Sequence, residues 1–139
     1  MMYLLDTVTI SEVTRPQPDE GVLDWLAVHY TDAWLSVITL GELRKGILSL
    51  APGRRRADLT AWLDSDLMAR FAHRIAPVTV DVAHEWGRLV AEAGRDGATV
   101  PALDGLIAAT AAVHGLTVVT RNARDFAWAG IPATTPWRP

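Results

Sequence analysis

Cysteine is absent from this chain, so disulfides, thiolate metal sites and cysteine nucleophiles are excluded together. Lysine is almost absent: Lys45 stands alone among 13 basic residues, and the rest are arginine. No apolar run approaches the ~20 residues of a membrane span, and no basic segment precedes a signal-like apolar stretch. A cytoplasmic protein is expected. Positive charge is not in excess either. The formal net charge is −3, which argues against a surface that holds nucleic acid by bulk charge. Repeats, low-complexity tracts and long linkers are also missing. What remains is 139 residues, half of them hydrophobic and 21% charged. That composition predicts one globular domain over 1–139, with enough apolar material for a full core.

Short, continuous apolar runs predict strands at 3–6, 34–37, 75–78, 117–120 and, more weakly, 133–135. Helical spacing fills the gaps. It places Val22, Leu26 and His29 on one face of 20–29, and Leu40, Leu43, Ile47 and Leu50 on one face of 39–50. Segments 55–71 and 80–93 follow the same period, with Gly94 as a candidate helix stop. Pro101 suits the first position of a helix over 101–114, and Gly115 ends it. Buried strands separated by helices predict a three-layer α/β/α domain around a central, mostly parallel sheet.

In open parallel sheets, ligands bind beyond the carboxyl ends of the strands. Asp6 stands at the end of the first strand, where a carboxylate interrupts a segment expected to be buried. Glu42 falls early in the helix after the second strand. Asn122 and Asp125 follow the fourth strand in "VVTRNARDF", and Asp104 begins the helix that leads into it. Each has a purely structural reading. Thr39 and Glu42 match a capping box, Asp104 complements a helix dipole, and "RNARD" matches an Asx-rich turn. Asp6 is harder to place that way, because a buried carboxylate needs a partner; it reads as a ligand rather than a cap.

Clustered carboxylates repel unless a cation sits among them. An all-oxygen set without cysteine or a histidine pair suits Mg²⁺ or Mn²⁺. Such an ion supports hydrolysis of a phosphodiester. The four histidines fall on different elements and read as structural or surface residues. The six tryptophans read as core or interface residues. Gly41 and Gly46 read as close-packing positions. Arg44, Lys45, Arg121 and Arg124 flank the acids and are candidate phosphate contacts. Arg54, Arg55 and Arg56 open a helix, where cations oppose the dipole, and read as a solvated face.

With these residues assembled, the chain resembles the PIN-domain ribonucleases, and within them the VapC-type toxins of toxin–antitoxin pairs, in the FitB-like branch. The similar stretches are "LLDTVTISEV", "LSVITLGELRKGI" with "GRRRADLTAWL", "PALDGLIAATAAVHGLTVVTRNARDF" and the tail "IPATTPW". The resemblance implies a PIN fold and a Mg²⁺- or Mn²⁺-dependent endoribonuclease acting on tRNA, rRNA or mRNA. Asp6, Glu42 and Asp104 match the family's three acidic positions. By that match Asp6 and Asp104 would be the direct metal ligands, and Glu42 would position the metal or the attacking water. A VapB-type antitoxin bound across the helices, a homodimer, and operator DNA reached only through the antitoxin complex are implied as well.

Two positions depart from the family. Val8 stands where Asn usually follows the first Asp by two residues, although Thr7 remains. Asn122 stands where many members carry a fourth acid, with Asp125 three residues on. Fewer negative charges weaken metal binding. The competing functional reading is therefore a catalytically weak domain that binds an antitoxin and regulates transcription. Two other acid-site α/β families are excluded. A haloacid-dehalogenase phosphatase needs an acid at Val8, and a receiver domain needs a late lysine.

Overall fold

Two adjacent leucines of the first strand enter two different cores. Leu4 packs with Val118, Ile107 and Leu89 on one side of the sheet, and Leu5 packs with Val119, Leu35 and Phe71 on the other. Strand side chains alternate between faces, so a strand covered on both sides must be apolar throughout. The computed structural model describes residues 1–139. Its strands are β1 (Tyr3–Leu5), β2 (Ala33–Ser36), β3 (Ile75–Ala76), β4 (Thr117–Val119) and β5 (Ala133–Thr134), within or overlapping the five expected segments. They form one parallel sheet in the order β3-β2-β1-β4-β5.

The helices are α1 (Thr7–Glu12), α2 (Glu20–His29), α3 (Val37–Leu48), α4 (Arg54–Ala61), α5 (Met68–Arg70), α6 (Val80–Arg95) and α7 (Ala102–His114). A π-helical stretch, Trp62–Leu67, joins α4 to α5, so the continuous helix expected over 55–71 is widened in its middle. Helices α6 and α7 supply one core. The other core draws on α1, α3 and the π-helical stretch, with Trp25 and Leu26 of α2 packed against it. This is the expected three-layer α/β/α arrangement. No helix is long and apolar enough to cross a membrane.

Several local expectations change. The strand-like residues of "TVTISE" form α1, because Asp6 caps its first turn and Ile10 reaches the core; tertiary burial overrides β-propensity. Helix α3 starts two residues early, where Ser36 accepts a hydrogen bond from the Ile38 amide at 3.0 Å. Gly94 lies inside α6, and the left-handed glycine is Gly97, at φ 81°. Pro101 precedes α7 rather than opening it, whereas Gly115 ends that helix with φ 65° as expected.

Gly41 and Gly46 are not close-packing positions, since a Cβ at either would meet nothing within 4 Å. The tight glycines are Gly105, whose Cβ would sit 2.9 Å from the Trp86 indole nitrogen, and Gly21, whose Cβ would sit 2.5 Å from the Pro136 carbonyl. Gly46→Ala should therefore raise unfolding stability by about 0.5–1 kcal/mol through helix propensity alone. Gly21→Ala should lower it by about 1–3 kcal/mol, because a backbone carbonyl must move. Urea denaturation of both variants checks the opposite signs.

Candidate functional site

Strand order reverses between β1 and β4, the point beyond whose carboxyl ends open parallel sheets bind ligands. Asp6 is the first residue past β1 and extends the ladder by one bond, its amide donating to the Val119 carbonyl at 3.0 Å. The residue is only 9% exposed. One oxygen, Oδ1, accepts from the Thr9 amide at 2.9 Å and lies 2.8 Å from the Thr9 hydroxyl. That hydroxyl also lies 2.8 Å from the Val119 carbonyl; having one proton, it serves one acceptor at a time. Asp6 is thus the N-cap of α1, which corrects the expectation that it is a ligand instead of a cap. Oδ1 does the capping and leaves Oδ2 outside that turn.

Three further acids share its surroundings. Glu42 lies in the second turn of α3, and the Thr7 hydroxyl, 2.6 Å from its Oε1, donates to it. Thr39 is buried inside α3 near Thr7, at 3.2 Å between hydroxyl oxygens. The capping-box reading of Thr39 and Glu42 is therefore wrong, and Ser36 holds that role. Asp104 is the third residue of α7 and accepts no hydrogen bond from the helix N-terminus. Asp125 sits in the 3₁₀ turn Ala123–Ala129 after β4.

Burial pushes the Asp6 carboxyl above the ordinary carboxylate range; hydrogen bonds from Thr120 and Thr9 oppose the shift, and the Glu42 charge adds to it. Asp104 is also pushed up, first by desolvation and then by the charges of Glu42, Asp6 and Asp125. The helix dipole would act in the opposite sense, so desolvation, with repulsion from the other acids, outweighs it at Asp104. None of the four acids enters an ion pair: the arginine–carboxylate contacts of the chain are Arg15–Glu12, Arg44–Asp64, Arg88 with Glu85 and Glu92, and Arg138 with Glu20 and Asp24.

The structure therefore brings Asp6, Glu42, Asp104 and Asp125 into one electrostatic group. Asn122 is attached only through Asp125. Its amide nitrogen lies 3.3 Å from the Asp125 carboxylate, and its oxygen accepts from the Arg124 amide at 3.3 Å. The Asx-turn reading of that segment thus holds for Asn122, whose oxygen is engaged locally. No three acidic or imidazole groups close around a single point. The donor set is nonetheless all oxygen, uncompensated by any cation and half-shielded from solvent. That fits a hard divalent ion that keeps much of its own hydration, as Mg²⁺ does when held by one or two carboxylates.

Sequence reasoning missed the hydroxyl collar. Thr9 holds Asp6, Thr7 holds Glu42, and Val8, between Thr7 and Thr9, is 49% exposed. The signal was present as Asp6-x-x-Thr9, an N-cap pattern hidden among residues that prefer strands. Arg44 is engaged by Asp64 and is not a free phosphate contact.

A raised carboxyl pKa means that the folded state binds protons more tightly than the unfolded state. The stability contributed by protonated Asp6 and Asp104 is present below the ordinary carboxylate pKa and lost as pH rises through the raised values. In metal-free protein, Asp6→Asn retains a capping oxygen and removes the charge, so its melting temperature at pH 7 should equal or exceed that of wild type. Asp6→Ala loses the cap and should be less stable by about 1 kcal/mol. Melting curves from pH 4 to pH 8 test both: a wild-type advantage over Asp6→Asn that grows with pH would contradict the electrostatic assignment.

Comparison with known proteins agrees with this architecture. The PIN domain family model matches residues 3–130. The chain is 41% identical over 137 residues to Toxin FitB of Neisseria gonorrhoeae, covering 98% of this chain and 99% of that one. It is 36% identical over 139 residues to VapC ribonuclease Y4jK of Sinorhizobium fredii, covering 99% of each. Among solved structures, FitAB bound to an IR36 DNA fragment superposes with a TM-score of 0.93 at 38% identity, covering 99% of this chain and 97% of that one.

Proposed function

The chain belongs to the PIN-domain family, and from that premise we propose that it is a metal-dependent endoribonuclease, the toxin of a toxin–antitoxin pair. The carrying observation is the group of four carboxylates without a cationic partner at the switch point of the sheet. Asp6 and Asp104 are the residues that would hold Mg²⁺ or Mn²⁺ directly. When bound, such an ion supplies Lewis acidity for charge that develops on a phosphodiester, and it eases ionisation of a water molecule.

The chain's own residues do the positioning. Thr9 fixes the Asp6 carboxylate through its amide and hydroxyl. Thr7 turns Glu42, which can accept the proton of an attacking water. Asp125 adds negative charge near Asp104, and Asn122 orients Asp125. Thr7 performs for Glu42 the orienting task that Val8 cannot. The whole of 1–139 acts as that one domain, on cellular RNA.

An antitoxin of the VapB type is the proposed partner. A groove of about 520 Å³ between α1, α2 and the α4–α5 segment is lined by Ile10, Leu26, Tyr30, Trp62 and Phe71, with Asp66 and Arg70 at its edge. Its occupant would be an amphipathic antitoxin segment, which suits the FitAB complex to which the chain is similar. Homodimerisation, and operator DNA contacted only through the antitoxin, complete the proposal. Asn122 favours a second reading, a weak nuclease that acts mainly through antitoxin binding, because its oxygen is engaged by the backbone and offers no charge to a metal.

Purified, antitoxin-free protein should cleave RNA with added Mg²⁺ or Mn²⁺ and stop with a chelator. Asp6→Asn and Asp104→Asn should each lower the cleavage rate at least a hundredfold, about 3 kcal/mol or more in the barrier, while remaining folded. Thr7→Val should give a smaller loss. If wild type is as inert as both variants across a broad RNA panel, the binding-module reading replaces the nuclease.

A further inference from the structure

We propose that Arg121 is an RNA-phosphate contact at the rim of the acidic site, held there by the indole of Trp137. The inference rests on the nuclease reading and names a part of its substrate-binding surface. Three strand ends meet at this rim. The Asp6 amide bonds to Val119 of β4, and the Thr120 amide bonds to Thr134 of β5, at 3.0 Å each. Neighbouring strands lie about 4.8 Å apart, so Thr120, level with Asp6 in the β1–β4 register, stands about one strand spacing from it, and Arg121 is the next residue.

Arg121 is exposed, and its guanidinium enters no ion pair. Other arginines nearby are occupied: Arg44 by Asp64, and Arg138 by Glu20 and Asp24. The one partner of the Arg121 guanidinium is the Trp137 ring, 5.7 Å from its centroid. Arg124, three residues on, has no aromatic beneath it. Stacking on an aromatic face leaves the edge of the guanidinium fork free for phosphate oxygens.

Trp137 has no place in the cores. The other five tryptophans pack against one of the two apolar clusters, and Trp137 packs against neither. It is nevertheless held from both sides. Before it, the Thr135 hydroxyl donates to the Arg121 carbonyl at 3.2 Å, and the Pro136 carbonyl lies where a Cβ on Gly21 would fall. After it, Arg138 reaches Glu20 and Asp24 at 2.7 Å each, and its amide approaches Asp19 at 3.4 Å. The tail is thus bolted to the first turn of α2 and presents an indole to one arginine. Holding a long cationic side chain in its bound conformation removes an entropy cost of association. Trp137 is a positioning residue and Arg121 the contact.

The test is the affinity of a fluorescein-labelled RNA stem–loop for full-length protein in chelator, by fluorescence anisotropy at several salt concentrations. Arg121→Ala should weaken binding about tenfold and reduce the slope of log affinity against log salt by about 0.7–0.9, one phosphate contact. Trp137→Ala should weaken it less and remove most of the further effect of Arg121→Ala, whereas Trp137→Phe should keep it. In Mg²⁺, the loss in kcat/KM for Arg121→Ala should fall mainly on KM. An unchanged affinity and slope for Arg121→Ala in an enzyme that cleaves RNA overturns the inference alone. Additive losses in the double variant overturn the role of Trp137. Wild-type protein that neither binds nor cleaves RNA removes the nuclease reading and this inference with it. Should Trp137→Ala prove misfolded by circular dichroism, Trp137→Phe and Arg121→Ala still decide the matter.

Discussion

A single carboxylate, that of Asp6, joins the fold to the site. The backbone of Asp6 ends β1 in the ladder with β4, and its Oδ1 starts α1 by accepting the Thr9 amide. Both acts bury the residue to 9% exposure, and burial disfavours its charge. An aspartate that capped a surface helix would gain stability from being ionised. This one is placed where ionisation is costly unless a cation arrives, at the point where strand order reverses. Folding uses Oδ1 as a helix cap, and the charge that burial disfavours is the one the proposed metal role would require.

The surrounding residues amplify that opposition. Helix α3 brings Glu42, α7 brings Asp104 and the turn after β4 brings Asp125, from segments far apart in sequence. Two of the arginines near them in sequence are engaged elsewhere. Arg44, two residues from Glu42, pairs with Asp64 on the π-helical stretch, and Arg121 lies over Trp137. The threonines keep the acids in place without supplying charge: hydroxyl donors lower the cost of burial but leave the repulsion intact. On the proposed reading, such a site awaits a cation that the chain itself does not supply.

Much of this was legible in the sequence. Continuous apolar strands separated by helical periods predict a parallel sheet with two covered faces, and Leu4 and Leu5 entering opposite cores are the direct expression of that rule. Acids after strands 1 and 4 and near the starts of two helices were legible because switch-point geometry depends only on element order. Helix α1 was not, since Thr7, Val8, Thr9 and Ile10 carry strand propensities that capping and core burial override. The N-terminus of α3 was displaced because serine and threonine both cap, and only packing selects Ser36 over Thr39. Glycines were the least legible. Open space around Gly41 and Gly46, and crowding at Gly21 and Gly105, depend on contacts from distant segments. The clamp of the tail on α2 has the same origin: Arg138 and Glu20 are paired at 118 residues' separation.

The central claim is that the repulsion among these carboxylates is relieved by one divalent cation held by Asp6 and Asp104. Calorimetric titration of Mn²⁺ into metal-free protein at pH 7 tests it most directly. One saturable site should be seen, displaced by Mg²⁺, accompanied by proton release that grows as pH is lowered toward the raised carboxyl pKa values, and lost in both Asp6→Asn and Asp104→Asn. Absence of binding to the wild-type protein, or binding that survives both substitutions, would contradict the account.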